Sequence, residues 1–158
     1  MTEADLKKHI EAAEQGPKKL AAAVSGLSDK VLRYKPSPEK WSILEILAHL
    51  ADVEIIYSHR MRQMIAQQGS TIAPVDQDAW AAHLGYLDAA PAELVAQFGV
   101  NRHHNVRLLR RLKPSDLGKS AYHPEKKGDV TLEEQVPRFA AHDANHIEQI
   151  ERLKKQAR

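Results

Sequence analysis

The sequence predicts an all-α protein, a four-helix bundle formed by one domain over residues 1–158. Three observations predict it. Apolar residues recur at steps of three and four through four long segments. Proline and glycine fall mostly between those segments, where the chain has to turn. No stretch alternates apolar and polar residues as a half-buried strand would, and no internal repeat or low-complexity tract is present.

The first segment carries Leu6, Ile10, Ala13, Pro17, Leu20, Val24 and Leu27 on one face. Gly16-Pro17 should bend or split it, because proline removes a backbone donor and crowds the preceding turn. Ser28 to Lys40 contains Pro36 and Pro38 and reads as a connector. The second helix is expected from about Trp41 to Gln68, with Ile43, Ile46, Leu47, Leu50, Val53, Ile56 and Tyr57 inward. Gly69 to Pro91 is mixed, with a short helix around Trp80 to Tyr86. The third helix spans Ala92 to Leu112, and Pro114 stops it. Ser115 to Val130 holds Gly118, Pro124 and Gly128 and reads as a loop. Thr131 and Glu134 form a capping box that starts the last helix, since each can satisfy the other's free backbone donor. That helix runs to about Lys155 and should kink at Pro137.

Composition narrows the function. At 158 residues, with 42% apolar and 28% charged, the chain has the size and balance of one globular domain. A net charge of +2 gives no reason to expect nucleic acid or a membrane surface as partner. Met1 to Ile10 is charged and lacks a secretory signal's apolar stretch, and the longest apolar run, Leu20 to Val24, is five residues. A spanning helix needs about 20, so a cytoplasmic protein is expected. There is no cysteine. That excludes disulfides, thiolate ligands and a cysteine nucleophile, and any metal must be held by nitrogen and oxygen donors. Nine histidines outnumber the eight Phe, Tyr and Trp together, which is more imidazole than packing alone calls for.

His142 and His146 lie four apart on the last helix, one above the other on a face shared with Phe139, Ile150 and Leu153. Two imidazoles so placed can converge on one ion at about 2.0–2.1 Å each. His49 occupies an inward position on the second helix beside Ile46, Val53 and Ile56. A single inward histidine is more often a hydrogen-bonded core residue than a ligand, and spacing alone does not join His49 to the other two. Asp52, one turn after His49, and Asp143, beside His142, can accept a proton from an imidazole and fix its tautomer. The alternative is that both are solvated carboxylates, and for Asp143 that alternative is favoured. Glu54 is expected to be exposed. His103 and His104 match no ligand position, and His9, His59 and His83 read as surface residues.

Between Arg102 and Lys127 the chain carries eight Lys and Arg against Asp116 and Glu125. A solvated helix face explains this. A basic rim attracting an anionic substrate, with Arg102 and Arg107 as its binding residues, is the other reading.

The stretch from Gly26 to Glu54 resembles the first signature of the DinB/YfiT-like superfamily: a proline-containing connector, the helix start Trp41-Ser42, and His49 seven residues after the serine. The second signature is matched by His123, Pro124, Glu125, Gly128, Thr131, Leu132 and Glu134, then by His142, Asp143, His146, Gln149 and Ile150. The resemblance covers nearly the whole chain in order and spacing; Pro137 departs from it. It implies an up-down bundle holding one divalent metal ion, nickel or zinc, on His49, His142 and His146. It places His123 at the pocket mouth. It also implies thiol S-transferases or thiol-dependent isomerases among the relatives, with a small-molecule thiol and an electrophile as partners, and a homodimer.

Two functions follow as expectations. One is a metal-dependent enzyme, a transferase or hydrolase, in which a thiol or water activated by the ion is the nucleophile. The other is a non-catalytic metal-binding bundle acting as a sensor or stress-response protein. A free coordination position beside a solvent-filled pocket favours the first, and a fourth protein ligand favours the second.

Overall fold

The computed structural model of the protein describes residues 1–157; Arg158, the last residue of the expected domain, lies outside them. Helices α1 (Glu3–Glu14) and α2 (Gly16–Val24) make the first leg of the bundle, and a one-turn α3 (Asp29–Leu32) sits in the connector. The second leg is α4 (Ile43–Ala66). A long connection containing α5 (Gln77–His83) leads to α6 (Pro91–Leu109), the third leg. A hairpin, β1 (Ser120–His123) and β2 (Gly128–Thr131), and a single turn, α7 (Leu132–Gln135), precede α8 (Arg138–Gln156), the fourth.

Local chemistry sets the starts. Thr2, Ser42 and Thr131 each cap a helix and form capping boxes with Asp5, Glu45 and Glu134. Pro91 opens α6, where its fixed φ suits a first turn and its missing N–H costs nothing. Pro137 does more than kink the last helix. With no N–H to continue the ladder, it separates α7 from α8, which restarts at Arg138, one turn ahead of His142.

The four-helix bundle expected from the pattern is present, but its legs do not simply alternate up and down. Two apolar clusters fill the bundle ends. One holds Leu20, Leu47, Phe98 and Ile150; the other holds Ile10, Met61, Leu109 and Phe139. α4 and α6 both run from the first cluster to the second, so they are parallel, whereas the first leg and α8 run the opposite way. The connection 67–90 has to travel back along the bundle to permit this.

Between the clusters lies a polar layer. Arg102 on α6 donates to Glu54 Oε1 at 2.7 Å and to both carboxylate oxygens of Asp143 on α8. Asn105 Nδ2 donates to Glu54 Oε2 at 2.9 Å. Both acids and the guanidinium are buried. Glu54 therefore contradicts the exposed position expected for it: its face looks toward α6, away from His49 but into the core. Arg102 Nη1 also donates to Ala13 O at 2.8 Å. Ala13 is the residue four before Pro17, so its carbonyl lacks the donor a regular helix would supply. The split at Gly16-Pro17 thus gives α6 a backbone acceptor on the first leg.

The segment 115–130, read as a loop, contains the hairpin. Its strands pair from Ser120 with Thr131 to His123 with Gly128. Each strand is only four residues long, too short for alternation to stand out in sequence. The pleat nevertheless turns Ala121 and His123 inward and Tyr122 outward. Tyr122 also bonds Ser70 and Ile72, tying the hairpin to the crossing connection.

Gly16 fits tightly against the polar layer. A Cβ there would sit 2.5 Å from Arg102 Nη1 and collide with the Asp143 carboxylate. Helix propensity favours Gly→Ala by up to about 1 kcal/mol. Overpacking of well-ordered atoms costs about 1–3 kcal/mol, and it wins because the ion pair cannot retreat. Gly16→Ala should therefore lower stability, read as a fall in the urea midpoint with unchanged slope; a gain would show that the pair yields.

Candidate metal centre

His49 stands in the second turn of α4, and His142 and His146 stand one turn apart on α8. The structure brings all three together. Their potential ligand atoms lie within 4.8 Å of one another, forming a group that could hold a metal ion. Nε2 of His49 and Nε2 of His142 are 3.3 Å apart. Two nitrogens bound to one ion at about 2.0–2.1 Å with a tetrahedral angle stand about 3.3–3.4 Å apart, so this pair already has the required bite. No fourth His, Cys, Asp or Glu joins the group among the described residues.

Neighbours orient the rings. His146 Nδ1 is 3.1 Å from Gln149 Oε1. An amide oxygen only accepts, so Nδ1 carries the proton and the Nε2 lone pair is left for the ion. Trp41 lies against His49 with ring centroids 4.8 Å apart. His142 Nδ1 is buried without a partner. Burial, with His146 nearby, lowers His49 to about 4. Burial, then the charges of His146, His49 and Arg102, lowers His142 to about 3. His146 is lowered as well, chiefly by burial. The three imidazoles are thus neutral, the form that binds metal.

A cavity of about 170 Å³ opens beside the group. His49, Asp52, Val53, Ile56, Tyr57 and Arg60 of α4 form its floor, with His142 at one side. Val75, Gln77 and Trp80 of the crossing connection and His123 and Glu125 of the hairpin form its walls. The two connections between legs, one carrying α5 and the other the hairpin, are what make the pocket.

The remaining expected residues divide. Asp52 lines the cavity but accepts from Tyr86 Oη at 2.7 Å, and no hydrogen bond joins it to an imidazole. Asp143 is neither a histidine's partner nor a solvated carboxylate, because it is buried against Arg102. Arg102 is correspondingly no rim residue, being fully enclosed in the polar layer, and Arg107 is exposed and outside the cavity. His123 is buried at the pocket wall. Sequence reasoning missed Gln149 as a bonding partner, although it stands three after His146. It missed Arg60 too, whose place eleven after His49 on one helix stripe was a usable signal.

Comparison with known proteins agrees with this arrangement. The family model described as DinB superfamily matches residues 12–150. A Bacillus subtilis protein named "Putative metal-dependent hydrolase YfiT" is 27% identical over 92% of this chain and 82% of its own length. A relative in Bacillus mycoides with the same descriptive name is 27% identical over 98% of this chain and 88% of its own. The solved structure of YfiT, described as a probable metal-dependent hydrolase with an unusual four-helix bundle topology, superposes with a TM-score of 0.93 at 26% identity. It covers 99% of this chain and 89% of that one.

Two outcomes are expected. His49→Ala, His142→Ala and His146→Ala should each lose stoichiometric zinc or nickel by elemental analysis, and His103→Ala should keep it. In the metal-free protein, the folded histidines titrate below the unfolded value of about 6.5. The unfolded chain then binds more protons between those values, so stability is full above that pH and is lost as pH falls toward 4. Urea midpoints should drop between pH 6.5 and 5, and His142→Gln should flatten that slope. An unchanged slope would mean these imidazoles are not the groups responsible.

Proposed function

This chain belongs to the DinB superfamily, and from that premise we propose that it is a divalent-metal-dependent enzyme acting on a small-molecule electrophile. His49, His142 and His146 would hold the ion as neutral imidazole ligands, which suit nickel and zinc alike. A bound ion supplies Lewis acidity, lowering the pKa of a water or thiol taken up on the cavity side. The observation that carries the reading is the open side of the triad. His49 and His142 face the cavity, and no fourth ligand closes the group among the described residues. A closed set of four donors suits a structural ion, and three with a free position suit catalysis.

The chain's own residues fit that use. Val53, Ile56 and Trp80 give the cavity apolar walls that limit water. Asp52, fixed by Tyr86, sits one turn from His49 on the same wall, where its carboxylate can accept a proton. The chain has no cysteine, and no serine or threonine is among the residues lining the cavity; the nucleophile of this proposal comes from solution. Water makes the protein a hydrolase, as the names of the relatives support. A small thiol makes it an S-transferase or thiol-dependent isomerase, which the sequence signatures support. A homodimer belongs to the same proposal.

The test loads the protein with zinc or nickel and screens small esters, amides and other electrophiles, with and without a low-molecular-weight thiol. Turnover without thiol identifies a hydrolase, and turnover that requires thiol a transferase. In either case His146→Ala should reduce the rate to background. Stoichiometric metal with no turnover in any arm would overturn the enzyme in favour of a sensor.

A further inference from the structure

Among the described residues Arg60 is the one lysine or arginine lining the cavity, and its surroundings are unlike those of the other enclosed arginine. Arg102 is buried among two carboxylates. Arg60 is half-buried, yet it takes part in no ion pair among the described residues. Its guanidinium makes one bond, from Nη2 to Ala73 O at 3.0 Å, and Nε is buried without a partner. Burial pushes its pKa down, and the opposing effects of Tyr57 and Glu125 offset this only in part. Removing a charge from water without an opposite charge is costly, so this arrangement is best satisfied by an anion from outside the chain.

We propose that the Arg60 end of the cavity binds the carboxylate of a small organic acid, whose other end faces the histidine triad. The proposal rests on the cavity being the substrate site. Helix geometry sets the ligand's length. Eleven residues separate His49 from Arg60, about 16 Å along the axis. Arginine leans back toward the helix N-terminus and shortens that span. The acid group is therefore several bonds away from the reacting group. Size and polarity set the rest. A cavity of about 170 Å³ is close to the void of about 150 Å³ that accepts benzene, and Val53, Ile56, Val75 and Trp80 surround its middle.

The far wall agrees in charge. His123 Nδ1 is buried there without a partner. Arg138 and Lys126 act on His123 with the same sign as Arg60, against Glu125. Glu125 lines the cavity too, but it is exposed and forms no ion pair with Arg60. A guanidinium presents a planar fork that matches a carboxylate with two parallel bonds.

Binding of 3-phenylpropionate and of its uncharged amide to the full-length protein, by isothermal titration, tests this. Metal-free protein comes first, so that the acid cannot bind through an ion. Wild type should bind the acid at least about tenfold more tightly than the amide, as expected for bonds to a charged group. Arg60→Ala should erase that preference, and Arg60→Lys should restore only part of it. Circular dichroism and zinc stoichiometry report whether each variant still folds; if Arg60→Ala does not, Arg60→Lys and the acid–amide comparison on wild type decide. No binding of the acid to wild type, equal binding of acid and amide, or an Arg60→Ala protein that keeps the preference would each overturn the subsite. Zinc titration of the same samples separates the two readings. Zinc binding without an Arg60-dependent preference removes the subsite alone, and a preference without zinc binding removes the metal centre alone.

Discussion

The arrangement of the molecule depends on one buried guanidinium. Arg102 reaches from α6 to Glu54 on α4, to Asp143 on α8 and to the carbonyl of Ala13 on the first leg. All four legs therefore meet at one side chain. Such a network is not a cheap source of stability, because taking three charges out of water offsets much of their attraction. Its value is geometric: apolar ridges tolerate sliding, whereas a fork with fixed acceptors on three other legs has one register. Asp143 is held in that register, and the adjacent His142 is turned toward α4 by the same backbone.

The polar layer also acts on the triad, and in both senses: burial comes first, but Arg102 opposes a positive charge on His142 while Asp143 favours one on His146. Three neutral imidazoles bring no negative charge to a dication. Glu54 and Asp143 share the one guanidinium of Arg102, and burial pushes the Glu54 carboxyl up. Asp143 acts on His146 in the sense that favours a positive charge. In a medium of low effective dielectric such a charge is felt more strongly than it would be in water. Asp143, expected either beside an imidazole or in solvent, thus lies instead against Arg102.

How much of this was legible in the sequence follows from the range of each interaction. Helix periods, caps and the proline breaks are local, and the legs lie close to where the pattern puts them. The i,i+4 histidine pair is local too, so its shared face could be read directly, while His49 joined it only through resemblance. The parallel course of α4 and α6 could not be read, because both directions give the same apolar stripe and only tertiary packing distinguishes them. Arg102 looked like part of a basic surface, since it opens a stretch to Lys127 that carries eight Lys and Arg, and its partners lie 41 and 48 residues away. The hairpin was hidden by strand length, and with it the wall carrying His123.

The same topology explains why a cavity exists at all. Four alternating legs joined by short loops would close over their own core. Running α4 and α6 parallel forces residues 67–90 back along the bundle, and this places Val75, Gln77 and Trp80 over α4. The break at Pro137 lets α7 follow the hairpin before α8 begins, which carries His123 to the opposite wall. The histidine face of α4 is thereby roofed by the short helix α5 and the hairpin instead of a full-length leg, and short pieces leave gaps that interdigitated long helices do not. Rigidity and access are divided between the two faces of α4. Glu54 faces the polar layer that fixes the legs, and His49, Asp52 and Arg60 face the gap. A change to the connection or the hairpin can therefore alter what enters the cavity while the legs and the triad stay where Arg102 holds them.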